Sequence, residues 1–372
     1  MTHILLATGD LAPDRDDYDE SFVATHDLLG SADITFGQLE TSFAARGVRA
    51  PQARHAVLAR PEGAAALGRA GFDIISMAGN HVLDWGNDAF FETKANLEGA
   101  GLKVVGAGAD IAEARRPVSI TLGDGTRVAI LAYSSILPQN YWADERHPGC
   151  APMRAFTHYE QIEHDQPGTP ARIHTWPHSE DLAAMQADIA AAKAAHDVVI
   201  VSHHWGIHFV RAVIADYQRD VARATIAAGA DAILGGHAHI LKGCELIDGK
   251  PVFYSLCNFA TDLRMDPAHA TSKSFNEIRV LAEEWELDFD SLYNFPKPSR
   301  LSMIARMEIA GGRFVRAGFL PLHIGRDAVP RLAARGSAEH DAVVDYMTAV
   351  TEEAGLNARY RAGDDMVELV PA

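Results

Sequence analysis

The sequence predicts an α/β fold in which helices cover a sheet. Two observations support this prediction. Over the first 260 residues, short apolar runs alternate with helix-like segments, an order that is typical of α/β architecture. Polar residues also gather directly after the apolar runs, and the carboxyl ends of strands are where open α/β sheets bind ligands.

Five apolar runs are the predicted strands, and each leads into side chains that can hold a metal or carry a proton. In chain order they are "HILLAT" before Gly9-Asp10, "DITFGQ" before Leu39-Glu40, "FDIIS" before "MAGNHVLD", "DVVIVS" before "HHWG", and "DAILG" before "GHAH". Because these ends are expected at one rim of the fold, we predict that their polar side chains share an active site.

Segments with apolar residues three and four apart predict helices between these strands: "EGAAALGRAG", "NDAFFETKANLEGAG", "EDLAAMQADIAAAKAAH" and "YQRDVARATIAAG". The stretch "TLGDGTRVAILAYS" predicts a hairpin, since Asp-Gly is a favoured turn. Near the end of the chain, "RLSMIARMEIAGGRFVRAGFLPL" predicts two strands around Gly311-Gly312. The segment "HDAVVDYMTAVTEEAG" then predicts a closing helix.

We expect residues 1–265 to form the catalytic domain and residues 266–372 to complete the sheet and add the closing helix. A long insertion over residues 134–178 carries six prolines. A loop of that length inside a compact domain is usually functional or disordered. Four of its ring-bearing side chains are suited to covering a bound ligand, since aromatic rings supply much contact area: Tyr141, Trp142, Trp176 and His178.

Composition narrows the class of partner. The chain of 372 residues has 33 Lys plus Arg against 50 Asp plus Glu, a formal charge of −17, which disfavours nucleic acid and anionic membranes as partners. No basic leader and no long apolar run are present in the sequence, so we expect a soluble, cytoplasmic protein without an anchor. The three cysteines show no CxxC spacing. Any metal is therefore expected on His, Asp, Glu or Asn.

The order of the strand-end motifs carries a resemblance. Gly-Asp, Leu-Glu, Gly-Asn-His with a following Asp, His-His-Trp-Gly and Gly-His-Ala-His together resemble the calcineurin-like metallophosphoesterase superfamily. The blocks "GQLETSF", "AGNHVLDWG", "VVGAG", "VSHHWG" and "GGHAHILKG" with "FYSLCNF" are more similar to its CapA-like branch, named for a poly-γ-glutamate capsule protein. The resemblance implies the calcineurin-like metallophosphatase fold, a four-layer αββα sandwich with a metal site on the strand rim.

The resemblance also implies roles for individual residues. His81 is placed beside the metal as an acid/base residue, oriented by Asp84, and an Asp in that position fixes the tautomer of a histidine. Oxygen ligands suit hard divalent cations and imidazole suits borderline ones, so we expect Ca²⁺, Mn²⁺, iron or Zn²⁺ and no organic cofactor. The implied metal ligands are Asp10, Glu40, Asn80, His204, His237 and His239.

One departure from the superfamily pattern bears on the reaction. A histidine usually follows two residues after the first aspartate, where this chain has Ala12. Two-metal hydrolysis uses both ions, so a weakened first site argues against a plain phosphatase. With one hard cation held by oxygen ligands, histidines are free as bases, and inversion of a Cα centre requires two bases on opposite faces. The candidate pairs are His81 with Asp84, and one of His204, His237 or His239 with a carboxylate such as Asp10.

The leading hypothesis is a metal-dependent epimerase that inverts a Cα centre, at the C-terminal residue of a ribosomally made peptide. The chain resembles soluble CapA-like proteins of ribosomal peptide pathways, lasso-peptide epimerases among them, in its lack of an anchor and its many histidines. Three alternatives stay open: a metallophosphoesterase, a hydrolase or ligase acting on γ-glutamyl amides, and a scaffold that binds metal or peptide without catalysis. The sequence does not predict the oligomeric state.

Several nearby side chains are expected to have structural roles. Alternation along "VVIVSHHWG" points neighbouring residues to opposite sides, so we expect His203 to be packed and His204 to be functional. We expect the remaining aromatic and histidine residues of these segments to pack or to lie in ordinary loops: Trp85, Trp205, His174, His178 and His208.

Overall fold

The computed structural model describes residues 1–163, 168–282 and 285–372. The middle of the predicted insertion, residues 164–167, lies outside the described residues. In chain order the strands are β1 (His3–Ala12), β2 (Ile34–Leu39), β3 (Ser42–Phe43), β4 (Leu58–Ala59), β5 (Ile74–Ser76), β6 (Lys103–Val105), β7 (Ala107–Gly108), β8 (Val118–Thr121), β9 (Arg127–Ser134), β10 (Gly149–Cys150), β11 (Ala155–Glu160), β12 (Arg172–Pro177), β13 (Val198–His204), β14 (Ala232–Gly236), β15 (Cys244–Ile247), β16 (Lys250–Phe253), β17 (Asn258–Thr261), β18 (Leu301–Ala310), β19 (Arg313–Ile324), β20 (Pro330–Leu332), β21 (Ala358–Ala362) and β22 (Val367–Pro371).

The α-helices separate the strands of the first part of the chain and close its end. They are α1 (His26–Leu29), α2 (Glu62–Arg69), α3 (Gly86–Gly99), α4 (Ile111–Ala114), α5 (Ser179–Ala195), α6 (Asp216–Ala227), α7 (Pro267–Ala270), α8 (Lys273–Ile278) and α9 (Ala338–Glu353). Among the described helices, none combines the length and the apolar composition that are needed to cross a membrane.

Most strands belong to two large sheets. The first has the order β21-β22-β19-β18-β1-β2-β5-β6, with β17 also paired to β1 and β20 to β19, and the second has the order β15-β16-β14-β13-β9-β8. The strands β1, β2, β5 and β6 are parallel, as are β9, β13, β14 and β16. In each sheet the carboxyl ends of these strands therefore meet at one edge, where the motif residues follow.

Alternate side chains of β13 enter two different cores. Val198 and Ile200 belong to the core that also contains Phe36 of β2. Val199 belongs instead to a second core with Ile189 of α5. The six-stranded sheet is thus buried on both faces, as the continuous apolar run "DVVIVS" indicates: one face packs on the ten-stranded sheet and the other on helices.

Helices α2 and α3 cover the ten-stranded sheet. Leu67 of α2 and Leu97 of α3 are fully buried in the same core as Ile74 of β5. The layers follow one another as helix, sheet, sheet and helix, which confirms the predicted four-layer αββα sandwich. The predicted hairpin is confirmed as β8 paired antiparallel with β9.

The last third of the chain adds strands to the first sheet. β18 pairs with β1 and with β19, and the turn between them contains Gly311 and Gly312, both in the left-handed region with φ of 58° and 71°. The closing helix is confirmed as α9. Its buried residues Val343 and Met347 pack into the main core, so this segment is built onto the sheet that carries Asp10.

Candidate metal and acid/base site

Two carboxylates meet where the parallel strands β1 and β2 end. Asp10 is paired in register with Gln38, and Glu40 follows directly after β2, where its backbone N–H donates to Leu11 O over 2.8 Å. Both acids are buried. Neighbouring parallel strands bring their ends to the same edge, which explains how residues 30 positions apart in the chain come together.

The second sheet supplies the histidines. His204 is the last residue of β13 and is in register with Gly236 of β14, after which His237 and His239 follow. The backbone N–H of His237 donates to Asp10 Oδ2 over 3.1 Å and joins the two sheets. A Cβ at position 236 would lie 2.7 Å from Asp10 Oδ1, so only glycine leaves the carboxylate room there.

Short distances link the side chains of the two sheets. His204 Nε2 lies 2.8 Å from Glu40 Oε1 and 2.6 Å from Asn80 Oδ1. His239 lies 3.5 Å from Asp10 through Nδ1 and 3.5 Å from Glu40 through Nε2. The structure therefore brings together all six side chains that the family resemblance implies as metal ligands.

Two groups of ligand atoms have the spacing of a metal site. Glu40, His204 and His237 form one, and Asp10, Glu40 and His239 form the other, each with its atoms within 4.8 Å of one another. Glu40 belongs to both groups. Carboxylate and imidazole donors at this spacing fit a divalent cation.

The buried polar atoms of the site support this fit. Within the described residues, Asp10 Oδ1, His204 Nδ1 and His237 Nδ1 are buried and have no hydrogen-bond partner, which is costly unless a ligand completes them. Burial, and then the neighbouring charge of Glu40, raise the pKa of Asp10 well above its ordinary value. A bound cation would offset both effects.

Two imidazoles of the site, those of His237 and His239, are held in their neutral form by a lowered pKa. Burial, followed by the nearby His208 and His204, lowers the pKa of His237 well below its ordinary value. Burial also lowers the pKa of His239, and Glu40 only partly offsets it. Neutral imidazole is the form that ligates a metal or accepts a proton, so both residues are prepared for either task.

The backbone after β14 is strained. His237 and His239 both have left-handed φ angles, of 86° and 53°, a conformation that non-glycine residues rarely adopt. Such strain costs about 1–3 kcal/mol per residue and is typical of functional sites. In this backbone conformation His237 and His239, two positions apart, each place a ligand atom close to the carboxylate of Glu40.

His81 lies beside the metal ligands and is paired as expected. Its Nδ1 is 2.6 Å from Asp84 Oδ2, and the other carboxylate oxygen accepts the Tyr141 hydroxyl over 2.8 Å. Burial alone would lower the pKa of His81, but the hydrogen bond to Asp84 and the charges of Asp84 and Glu40 together outweigh burial and raise the pKa. Since Nδ1 is engaged, Nε2 is the atom available to a substrate.

A cavity of about 510 Å³ opens beside this pair. Glu40, Asn80, His81 and His239 line its floor, whereas Asp10, His204 and His237 lie deeper and do not line it. Its wall is mainly apolar and is built by Phe209, Met265, Phe275, Ile278, Trp285 and Phe295. The site thus combines a buried set of metal ligands with two histidines at the surface of an apolar cavity.

Three residues of the site were not predicted. His208, expected to lie in an ordinary loop, is half-buried, and its ring centroid lies 3.8 Å from that of His237, because the loop after "HHWG" folds back over β14. Asn258 Oδ1 lies 2.7 Å from His239 Nδ1, and its place at the end of "FYSLCNF" was the available signal. His55 lines the cavity from a segment without any pattern.

The aromatic residues of the insertion do not cover this cavity. Tyr141 is buried beneath Asp84, and Trp142 stacks under Arg154 with 5.3 Å from guanidinium to ring. Trp176 stands on the exposed side of the β11–β12 hairpin beside Phe156. The insertion contributes Ile136 and Pro138 to the lining of the cavity, and the sequence could not show that its aromatic residues lie elsewhere.

Several structural roles are confirmed. His203 is buried and stacks on Trp205 with 4.5 Å between ring centroids, so the first histidine of the pair is packed as predicted. His178 accepts from Asp181 N as the N-cap of α5. His174 is exposed and pairs with Glu160, but it lies in strand β12 and not in a loop as expected.

Two sheets packed face to face, with carboxylate, amide and histidine donors at the ends of their strands, define a protein of the calcineurin-like superfamily. A family model described as "Bacterial capsule synthesis protein PGA_cap" matches residues 4–263. The chain belongs to this family, which is the CapA-like branch that its motifs resemble.

Relatives within the family carry names from polymer synthesis. A "Probable polyglutamine synthesis accessory protein" of Mycobacterium tuberculosis is 27% identical over 347 residues, which cover 92% of this chain and 78% of that protein. "PGA biosynthesis protein CapA" of Bacillus subtilis is 29% identical over 191 residues, 51% of this chain and 43% of that protein. Among solved structures, the calcineurin-like phosphoesterase YfkN of Bacillus subtilis covers 95% of this chain and 97% of its own length at 14% identity, with a TM-score of 0.40.

Proposed function

We propose that this protein is a metal-dependent peptide epimerase that inverts a Cα centre, at the C-terminal residue of a ribosomally made peptide. The observation that carries the proposal is the position of His81 and His239, two of the four described histidines that line one cavity, beside the candidate metal ligands Asn80 and Glu40. Each has a fixed partner on Nδ1, Asp84 for the first and Asn258 for the second. Inversion needs two such groups, since one removes a proton and the other returns it.

In the proposed reaction, one imidazole takes the Cα proton and the electron pair of the C–H bond moves onto the adjacent carbonyl. As the electron pair returns from the carbonyl to Cα, the second imidazole, in its protonated form, gives a proton to the opposite face, and the proton on the first imidazole is then released to solvent. Asp10, Glu40 and Asn80 would hold the divalent cation, which stabilises negative charge on that carbonyl oxygen when bound. His204 lies between Glu40 and Asn80 and positions both.

The cavity favours a peptide over a polyanion. Among the described residues that line it, Arg54 supplies the lone Lys or Arg side chain, and its guanidinium is 3.3 Å from Glu277. The lining includes four carboxylates, those of Glu40, Asp84, Asp262 and Glu277, and the chain carries a formal charge of −17, a field that repels poly-γ-glutamate or phosphate chains. An apolar wall instead favours an uncharged side chain next to the reacting carbon.

Deuterium exchange tests the proposal. The full chain, loaded with each candidate cation, is incubated with a panel of peptides in D₂O, and mass spectrometry with chiral amino-acid analysis follows Cα. We expect deuterium and the D-configuration at one residue, lost in His81→Gln and retained in the matched control His174→Gln. Phosphodiester turnover with two bound ions and no exchange into any peptide would disprove the epimerase proposal.

A metallophosphoesterase is the second candidate, and a specific observation favours it. Glu40 is shared by the two groups of ligand atoms, as a bridging carboxylate of a two-metal centre would be. A stoichiometry of two ions per chain and hydrolysis of a model phosphodiester would select it.

The names of the relatives favour a third candidate function, which is action on γ-glutamyl amides. Cleavage or transfer of a γ-glutamyl peptide tests this candidate. Binding of metal or peptide with no turnover at all would select a scaffold.

A further inference from the structure

Tyr141 connects the insertion to the acid/base pair. Its side chain is buried in the segment between β9 and β10. The backbone around it is fixed, because Tyr141 N donates to Pro138 O and Cys150 N donates to Tyr141 O, each over 3.0 Å. The Cys150 thiol lies 3.9 Å from Gly79 O, so the segment packs directly beneath the turn that carries His81.

The two carboxylate oxygens of Asp84 have different partners, and the hydroxyl of Tyr141 is one of these partners. Oδ1 accepts the Tyr141 hydroxyl over 2.8 Å, and Oδ2 faces His81 Nδ1 at 2.6 Å. The carboxylate is buried and is engaged on both sides, so it cannot rotate without losing a hydrogen bond. Burial and the Asp84 charge raise the pKa of Tyr141 above its ordinary value, which keeps its hydroxyl protonated as a donor.

We propose that Tyr141 is a positioning residue that acts through Asp84. By holding the carboxylate, it keeps the proton of neutral His81 on Nδ1 and leaves the Nε2 lone pair toward the cavity. The consequence for catalysis rests on the proposed function, whereas the effect on the His81 ring does not. The proposal also gives the insertion a role, which is to support the acid/base pair from below.

Nitrogen NMR of the histidine rings tests this directly. The full chain is labelled with ¹⁵N-histidine, and the His81 resonances are identified by their loss in His81→Gln. We compare Tyr141→Phe with Tyr133→Phe, a matched control in which another buried tyrosine loses its hydrogen bond to an aspartate, Asp188 Oδ2 at 2.9 Å. We expect a protonated Nδ1 and an unprotonated Nε2 on neutral His81, with a change of that pattern in Tyr141→Phe alone.

The readouts separate the possible outcomes. In the exchange assay we expect Tyr141→Phe to lose about 10- to 100-fold in rate, as partners that orient histidines do, with little change in KM. An unchanged His81 spectrum in folded Tyr141→Phe, or an equal change in Tyr133→Phe, would overturn the proposal. If Tyr141→Phe does not fold, the wild-type protein still tests the proposal. We expect its Tyr141 hydroxyl proton to exchange slowly with solvent, and the absence of such a proton would overturn the proposal. If no peptide exchanges deuterium, the proposed function fails while the NMR result stands.

Discussion

At the scale of single residues, the orientation of His81 depends on one carboxylate. Both oxygens of Asp84 are engaged by neighbours, His81 Nδ1 and the Tyr141 hydroxyl, so the carboxylate must be correctly turned to hold the imidazole. The serine-protease aspartate has the same task toward its histidine, where exchange for asparagine reverses the tautomer and costs about 10⁴ in kcat. The His81 pair is therefore the most sensitive point of the proposed mechanism.

We predict that Asp84→Asn lowers the rate of Cα exchange by at least about 10²-fold while the protein stays folded. The amide would offer an N–H to His81 Nδ1 and move the ring proton to Nε2. Exchange rates and thermal unfolding of the variant measure this. Asp188→Asn, which alters the equivalent partner of Tyr133, is the control and should keep full activity. Equal losses in both variants would contradict the prediction.

A second residue makes stability depend on pH. Lys242 is 2% exposed and donates to the carbonyls of Val210 and Val213 in the loop that carries His208. Burial lowers the pKa of Lys242 to about 8. Between about pH 8 and the ordinary lysine pKa, the unfolded chain binds this proton and the native chain does not, so stability rises with pH in that window. Below it, both states are protonated and the contribution is constant.

We predict that this lysine adds about 2 kcal/mol to the free energy of unfolding between about pH 8 and about pH 10. Urea unfolding across that range measures the slope. Lys242→Met should lose this part of the slope, and the exposed Lys103→Met should keep it. The same slope in wild type and Lys242→Met would show that the buried amine does not titrate there.

The sequence predicted the local pair but not the distant partners. His81 and Asp84 are three positions apart, and the family resemblance implied their contact. Tyr141 reaches Asp84 from 57 residues away and Asn258 reaches His239 through the pairing of β17 with β1. Such contacts depend on how layers stack, which no local pattern in one sequence reports.

At the scale of elements, the approach of β1 to the segment before β17 fixes the position of Asp10. A Cβ added at Gly9 would lie 2.0 Å from Cys257 O, and Asp10 N donates to that same carbonyl over 3.0 Å. The first strand can carry its ligand to this depth only because the preceding residue has no side chain. The dipeptide Gly9-Asp10 therefore has two roles: Gly9 leaves the space that close packing requires, and Asp10 is a candidate metal ligand.

We predict that Gly9→Ala lowers the free energy of unfolding by about 1–3 kcal/mol, the usual cost of overpacking, and weakens cation binding by moving Asp10. Gly99→Ala, at the end of α3 with no heavy atom within 4 Å of the new Cβ, should stabilise by about 0.5–1 kcal/mol. Denaturant unfolding and cation titration of the two variants measure both effects. If Gly9→Ala changed neither the free energy of unfolding nor cation binding, β1 and the segment before β17 would be able to move apart at little cost in free energy.

Strands and helices with strong periodicity were predicted, and irregular segments were not. The five motif strands and α2, α3, α5, α6 and α9 follow from apolar spacing. The cavity wall around Phe275 and Trp285 comes from short helices and loops after residue 263, where composition gives no period. The floor of the site was therefore accessible to sequence reasoning and its wall was not.

At the scale of the whole molecule, charge and metal binding are linked. Two buried acids lie together at the centre of a chain with a formal charge of −17, so a bound cation removes repulsion both locally and overall. Binding to the native state alone stabilises it by mass action. The affinity for the cation and the free energy of unfolding should then change together.

We predict that a divalent cation at 100 times its Kd raises the free energy of unfolding by about 3 kcal/mol. Asp10→Asn should abolish this increase without destabilising the cation-free protein, because it removes a buried charge. Glu245→Gln, which changes a carboxylate bound to Tyr254 outside the site, should keep the full response. Unfolding in chelator and in each cation measures the difference, and a response that persists in Asp10→Asn would place the cation elsewhere.

The division of the site between two sheets also sets an order of events during synthesis. Asp10, Glu40 and Asn80 leave the ribosome with the first quarter of the chain, whereas His204, His237 and His239 are translated more than a hundred residues later. A nascent chain that has made only the first three offers a cation oxygen donors without imidazoles. If these six side chains hold the cation, selection among cations takes place only after β14 has emerged and docked, when the histidines join the oxygen donors.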